Sequence, residues 1–348
     1  MKKVIISVLL SIASAAAFAA AAPTAETSKR GGIYSEYQIC GTGGGCSSKQ
    51  SGGVADSGKK YTLNNPFYQP QKGAFTTVTD FGYNINTIDF AISGGRWDGE
   101  RGKYSGKTLS VAEHLAYGIT EEVAVKALVR LASPKYSMTW NSGHPRDDQN
   151  DGPEVDLVGI GVQWRANNNQ WITSLSGVYE SMFGVASILY GDAKIGHKSD
   201  NTIVYGFGAA THFSWKNSLG YGVGLVNQAG DTILFTQELN VSSSTYLNIG
   251  GGVFTAFNSD WSVDGQLFYS YAQWHDQVAA RLAVNFQPLK RLSLSLYGQA
   301  ALIDSADKFN DSHVECKNAG DALSTPNGTA KFGNYSDLFF GLQITATF

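Results

Sequence analysis

The chain ends Asp337-Leu338-Phe339-Phe340-Gly341-Leu342-Gln343-Ile344-Thr345-Ala346-Thr347-Phe348, with apolar side chains at every second position. Leu338, Phe340, Leu342, Ile344, Ala346 and Phe348 form one set. Asp337, Gly341, Gln343, Thr345 and Thr347 form the other, with Phe339 the single intruder. Alternate side chains of a strand point to opposite faces. One face is therefore greasy and the other polar, over about the 9–11 residues that a tilted membrane-crossing strand needs.

The same period runs upstream. Leu292, Leu294, Leu296, Gly298, Ala300 and Leu302 alternate with Ser293, Ser295, Tyr297 and Gln299. Val278, Ala280, Leu282, Val284 and Phe286 alternate with Gln277, Arg281 and Asn285. Trp261, Val263, Gly265, Leu267, Tyr269 and Tyr271 alternate with Ser262, Asp264, Gln266 and Ser270, and Val123, Val125, Ala127, Val129 and Leu131 with Lys126 and Arg130. In 202–214 the greasy set is Ile203, Tyr205, Phe207, Ala209 and Phe213, set against Gly206, Gly208, Ala210 and His212. In 181–226 the phase is least clear, because Ile188 and Tyr190 fall out of step with Gly191 to Ile195. Such segments number about fourteen, within a range of about twelve to sixteen.

Every second connection is short and turn-like: 120–121, 166–169, 199–201, 227–230, 257–259 and 288–290. The longest links, 95–106, 134–153 and 304–334, fall among the others. Short turns on one side and long loops on the other are the asymmetry of a membrane β-barrel. A soluble β-sandwich also alternates, but its solvent face carries lysines and glutamates. Here the non-apolar face is Ser, Thr, Gln, Gly and Asn. The reading is all-β, a transmembrane antiparallel up-and-down barrel spanning 73–348.

Composition agrees. Charged residues are 16% of the 348, against about 25% in ordinary soluble domains, while hydrophobic residues reach 43% and Gly numbers 40. No stretch beyond Ala22 is long and apolar enough for a spanning helix. A net charge of −3 gives no electrostatic case for nucleic acid. Lys2, Lys3, the apolar Val4–Leu10 and the small residues of 11–22 read as an export signal over 1–21, cut near Ala19–Ala21. Residues 22–72, with Gly41-Thr42-Gly43-Gly44-Gly45, have no hydrophobic period and read as a flexible Gly/Ser-rich leader that plugs the barrel or trails from it.

The terminal Phe348, with Phe340, Leu342, Ile344 and Ala346 at alternate positions before it, resembles the C-terminal signature of Gram-negative outer-membrane β-barrels. Ala346 is smaller than that pattern favours. Leu115-Ala116-Tyr117-Gly118-Ile119-Thr120-Glu121-Glu122-Val123-Ala124-Val125 resembles the strand–turn–strand unit of porin-like barrels, with Glu121 in place of the usual Asp. The resemblance implies location in the outer membrane, contact with its lipid, recognition of Phe340, Leu342, Ile344 and Phe348 by the barrel-assembly machinery, and passage of small solutes.

Candidate pore-lining residues on the polar faces are Lys126, Arg130, Arg165, Glu238, Asp264 and Arg281, which either set the field across the pore or pair and fill it. Glu113 falls on the lipid side unless a bulge near 112–114 turns it. Trp164, Trp171, Tyr179, Trp215, Trp261, Tyr271 and Trp274 sit near strand ends, as in an interfacial girdle. Cys40 and Cys46, six apart in an exported Gly-rich loop, suit a local disulfide, and Cys316 is read as free. Asp147, Gln149 and Asp151 followed by Gly152 imitate the start of a calcium loop, but Val158 stands where its bidentate Glu belongs. A looser cation site among Asp147, Asp151 and Glu154 is the remaining metal reading. His144, His275 and His313 have no Ser partner in any catalytic motif. The expectation is a channel with no cofactor, rather than an enzyme. Adhesion through the long loops is the alternative, and an outer-membrane hydrolase the third reading.

Overall fold

The computed structural model describes residues 63–348 apart from 95–97, 142–146, 151, 169, 184–185, 227–231, 272–275, 306–311 and 318–325, with backbone alone for stretches that include 215–226, 232–242, 312–317 and 326–332. The export signal, Cys40, Cys46, His144 and His275 lie outside the described residues.

Among the described residues fourteen strands form one antiparallel sheet: β1 (Phe75–Ser93), β2 (Arg101–Gly118), β3 (Val123–Trp140), β4 (Asp147–Asn150), β5 (Glu154–Asn167), β6 (Trp171–Met182), β7 (Ala186–Ser199), β8 (Thr202–Val226), β9 (Thr232–Ala256), β10 (Trp261–Tyr271), β11 (Asp276–Leu289), β12 (Leu292–Ser305), β13 (Ser312–Lys317) and β14 (Pro326–Thr347). Twelve run up and down around a barrel. The other two, β4 on β3 and β13 between β9 and β14, extend the sheet at the rim away from the chain ends. β1 pairs with β14 from Thr76↔Thr347 onward, and Phe75 and Phe348 exchange backbone hydrogen bonds at the seam. Closure leaves the barrel without an edge strand.

The 202–214 segment runs on without a turn to Val226 as β8, and β9 is likewise one continuous strand of 25 residues. The polar interruption at Ser214–Leu219 is a register shift in the ladder rather than a turn. The β8–β9 connection therefore falls on the rim opposite the chain ends, not on the short-turn side. That side is built with local caps. Thr120 Oγ1 accepts from the amides of Glu122 and Val123, Asn168 Oδ1 from Gln170 and Trp171, and Asn258 Oδ1 from Asp260 and Trp261. Each supplies a side-chain oxygen that stands in for a turn acceptor.

Inside and outside are inverted relative to a soluble protein. The buried side chains include Arg130, Gln163, Glu180, Asp264, Gln266, Arg281 and Asn285, while Ile160, Leu189, Val204, Ile249, Leu282, Leu296 and Phe340 are exposed. Water on that exterior would cost roughly 25 cal/mol for each Å² of apolar surface; acyl chains remove the cost. Trp261 and Tyr271 are both exposed at the two ends of the 11-residue β10. At about 3.3 Å per residue and a tilt near 40°, they stand about 25 Å apart along the barrel axis, the height of a membrane barrel's apolar band. Trp164 and Trp171 join the rim at the chain ends, and Tyr179 the opposite one. The molecule is a transmembrane β-barrel.

Two sequence expectations meet a different geometry, and a third, for Glu113, is met as strand register requires. Ile203, Tyr205 and Phe213 are buried in the lumen, and Val204 and Ala210 face out, so β8 presents its greasy face inward. β7 has no break in phase: Ile188, Tyr190, Asp192 and Lys194 all point in, and Leu189, Ala193 and Ile195 out. Glu113 faces lipid, with no bulge in its pairing to β1, and accepts a 2.7 Å hydrogen bond from Thr79 Oγ1.

Residues 63–70 are buried within the barrel near the rim of the chain ends. Gly73, at φ +76°, makes the elbow from this segment into β1, and the backbone at Gln71 passes so close to Gly118 that no Cβ fits there.

Candidate functional site in the lumen

Large rings inside a twelve-stranded wall need space, and glycines on the next strand supply it. The ring of Phe339 lies over Gly82, Tyr205 over Gly252, Tyr297 over Gly341, Phe90 over Gly102 and Phe67 over Gly196. A Cβ on Gly82 would stand 2.8 Å from Phe339, and one on Gly252 2.5 Å from Tyr205. Tyr297 stacks on Phe339 at 5.6 Å, and Phe67, Tyr205, Phe207 and Phe268 follow one another at 5.7, 6.3 and 6.0 Å.

Most of the described ionisable groups of the lumen fall into three clusters. On β3, β5 and β6, Arg130 grips Asp156 through Nε and Nη2 (3.0 and 2.7 Å), with the Glu180 carboxyl near both. A register shift at Arg130/Leu131 is what swings Asp156 inward. On β7, Lys194 pairs with Asp192 at 3.4 Å, and Ser176 donates to the same carboxylate. Lys126 on β3 acts on both charges. On β10 and β11, Asp264 accepts from Tyr205 Oη (2.7 Å) and Gln266 Nε2 (2.8 Å) and lies 3.6 Å from Arg281. Arg281 in turn sits 4.7 Å over the Tyr297 ring, whose hydroxyl donates to Asp80 at 2.6 Å. Asn84 Nδ2 donates to Asp337 at 2.8 Å.

Five of the six pore-lining candidates, Lys126, Arg130, Arg165, Asp264 and Arg281, thus project into the lumen. The side chain of Glu238 lies outside the described residues. Arg130, Asp264 and Arg281 are engaged in ion pairs, and Arg165 reaches the Glu121 carbonyl at 3.5 Å. Sequence reading missed Asp156, Glu180, Asp192, Lys194 and Lys198 as lumen groups. Phe340, Leu342 and Phe348 are exposed on the outer wall, as is part of Ile344. Asp147–Asn150 is a short strand on β3 rather than a ligand loop, and no cluster of three metal-ligating side chains occurs among the described residues. His313 and Cys316 lie on β13, where Cys316 pairs by backbone with Ile233.

The segment Leu63-Asn64-Asn65-Pro66-Phe67-Tyr68-Gln69-Pro70 crosses the lumen and touches most of its circumference. Leu63 N donates to Gln287 (2.8 Å) and Asn64 Nδ2 to Ser293 Oγ (2.5 Å), while Asn64 Oδ1 accepts from Thr345 (3.3 Å). The Tyr68 hydroxyl bridges Thr76 of β1 and Thr347 of β14, at 2.5 and 2.9 Å. Gln163 donates to the Tyr68 carbonyl (2.9 Å) and Lys194 to that of Pro66 (3.5 Å). Phe67 is packed among Ile172, Ile203, Tyr205, Phe254 and Ala256. Burial pushes the Tyr68 phenol above its ordinary 10.0, opposed by the two threonine hydroxyls and by Arg165.

No protein-family model matches the chain, and no curated protein matches it in sequence. Among solved structures it is similar to an outer membrane channel from Pseudomonas putida F1 (10% identity, TM-score 0.46, covering 85% of this chain and 100% of that one). It is also similar to the translocator domain of the autotransporter NalP from Neisseria meningitidis (8%, 0.41, 80% and 90%) and to a FadL homologue of Pseudomonas aeruginosa (10%, 0.39, 83% and 95%).

Proposed function

We propose that the protein is a porin-like channel of the outer membrane that passes small solutes, with residues 63–70 set across its path near the periplasmic rim. The observation that carries this reading is the lumen wall, which bears charged and amide side chains inside a barrel whose exterior is apolar. Such groups are costly to bury in a sealed interior and inexpensive beside water. Several buried polar atoms, among them Glu180 Oε2 and both amide atoms of Gln277, have no hydrogen-bond partner among the described residues and suit hydration from a water-filled path. The exposed Phe340, Leu342 and Phe348 edge at the seam is where the barrel-assembly machinery would engage the last strand.

Reconstitution of the full-length protein in a planar bilayer tests the proposal. Discrete, stable conductance steps are expected. A bilayer that stays silent with both the wild type and Phe67→Ala, a variant that loosens the internal segment, overturns it.

A further inference from the structure

On β2 and β3 the outer wall turns from apolar to basic at the rim away from the chain ends. Leu109 of β2 and its register partner Tyr83 of β1 are both exposed and close the apolar surface. One step higher, Lys107 and Lys135 stand directly across the ladder from each other, both exposed, and one step above them Ser105 faces Ser137. From the exposed Tyr117 at the opposite rim up to Lys107, at about 3.3 Å per residue and a tilt near 40°, the rise is about 25 Å. The lysine pair therefore sits at the upper border of the band that acyl chains cover, where lipid headgroups begin.

Like charges directly opposite in an antiparallel ladder destabilise it. Among the described residues no ion pair and no side-chain hydrogen bond engages Lys107 or Lys135. Carboxylate residues at register positions of the same face stand higher: Asp89 across from Lys103 and, by backbone pairing, Asp148 across from Ser137. Arg101, Lys103, Lys107 and Lys135 outnumber them, in a chain whose net charge is −3. The repulsion is relieved by an anion seated between the two ammonium groups. A phosphate monoester, with about one and a half to two negative charges near pH 7, matches them in charge and accepts several charge-assisted hydrogen bonds. A lipid's own chains hold its phosphate at this height, which raises its effective concentration over that of a free ion.

We propose that Lys107 and Lys135 seat the phosphate monoester of a membrane lipid in the outer leaflet, with Ser105 and Ser137 as hydroxyl donors above it. The site is on the outer wall and stands whether or not the barrel conducts.

Native mass spectrometry of the full-length protein in detergent micelles, titrated with dioleoyl phosphatidic acid, reads the first binding step. The comparisons are dioleoyl phosphatidylcholine, with the same chains and no net charge, and inorganic phosphate, with no chains. Phosphatidic acid binds about thirtyfold more tightly than phosphatidylcholine, and inorganic phosphate is weaker than phosphatidic acid. Lys107→Gln or Lys135→Gln weakens phosphatidic acid about fivefold, and the two together about thirtyfold, as expected for lysines beside an anionic headgroup. Lys107→Arg with Lys135→Arg keeps the affinity near wild type. Lys290→Gln with Arg291→Gln, which removes two exposed cations at the rim of the chain ends, leaves it unchanged. Heat-modifiable migration on SDS gels verifies that each variant has folded. Equal affinity for the two lipids, or an equal loss in the Lys290/Arg291 and Lys107/Lys135 variants, overturns the proposal. Inorganic phosphate binding as tightly as phosphatidic acid overturns it too, because the group recognised is then a free ion and not a lipid.

Discussion

Replacing Phe67 by Ala tests what holds residues 63–70 in the lumen. The Phe67 side chain is fully buried against Ile172, Ile203, Phe254 and the edge of Tyr205, and it covers Gly196. Truncating such a ring costs about 3–5 kcal/mol. The segment's hydrogen bonds, from Leu63 to the Tyr68 carbonyl, are worth roughly 0.5–1.5 kcal/mol each. Phe67 therefore outweighs any one of them and rivals several together. The barrel ladders do not depend on it, so the loss falls on the equilibrium between seated and released segment. At about 1.4 kcal/mol per decade, the released fraction rises by roughly two to three and a half powers of ten. A cysteine at Gln69, a buried residue whose amide donates a long 3.5 Å hydrogen bond to the Glu121 carbonyl, reports the release in a chain whose native cysteines are replaced by Ser. Its reaction with a membrane-impermeant maleimide should accelerate by that factor in Phe67→Ala, because labelling follows the open population. Conductance should rise in parallel. Unchanged labelling, in a variant that still shows heat-modifiable migration, would refute the assignment of Phe67 as the main anchor.

Three other perturbations follow from the same geometry. Tyr68→Phe removes the hydroxyl that ties β1 to β14 and should lower the urea midpoint of the refolded barrel by the equivalent of about 1–2 kcal/mol. With the phenol raised by burial, its contribution is complete below the ordinary value of 10.0 and is lost as pH climbs through the higher folded value, so the wild-type advantage over Tyr68→Phe should shrink only in strongly alkaline buffer. Gly341→Ala drives a methyl into the Tyr297 ring and should cost about 1–3 kcal/mol, whereas Gly265→Ala, with nothing within 4 Å, should leave the midpoint in place. Glu113→Leu removes a lipid-facing carboxyl and should stabilise the barrel in phospholipid vesicles by about 1 kcal/mol; a lower midpoint would show that the Thr79 contact contributes more than the carboxyl costs.

The parts of the fold legible in the sequence were those where physical demands coincide. In β10, β11, β12 and β14 the lipid requires Leu, Val and Phe outside, and the lumen at the same height carries Ser, Gln, Asn and Arg. Period and polarity then give the same answer, and Lys126, Arg130, Asp264 and Arg281 fall on the inner face as read. Asp156 was not readable, because a register shift overrides parity at that residue. The strand number was blurred because β8 and β9 each run 25 residues, longer than a membrane crossing, and their irregular stretch looks like a turn in sequence. Residues 63–70 carry no period at all. Their place is set by Phe67 and Tyr68 meeting side chains up to 279 positions away.

β8 shows why alternation fixes two faces without saying which is inside. Its Ile203, Tyr205, Phe207 and Phe213 are as greasy as any lipid-facing set, and its other face holds Gly206, Gly208 and Ala210. Polarity alone sends the rings outward. Volume sends them inward: Tyr205 needs the vacancy at Gly252, and Phe67 of the internal segment needs Tyr205 as its partner. The small outer face costs little, since lipid tails fill a shallow dent as readily as they coat a ridge, and Gly191, Ala193, Gly208 and Ala210 do line an apolar hollow of about 830 Å³ on the outer wall, flanked by Leu247 and Ile249. An aromatic set facing a lumen must meet either glycines on the adjoining strand or an apolar segment from elsewhere in the chain, and β8 meets both. The glycine run 250–252, directly across the ladder from Tyr205–Phe207, is the signal in the sequence from which the inner face could have been read.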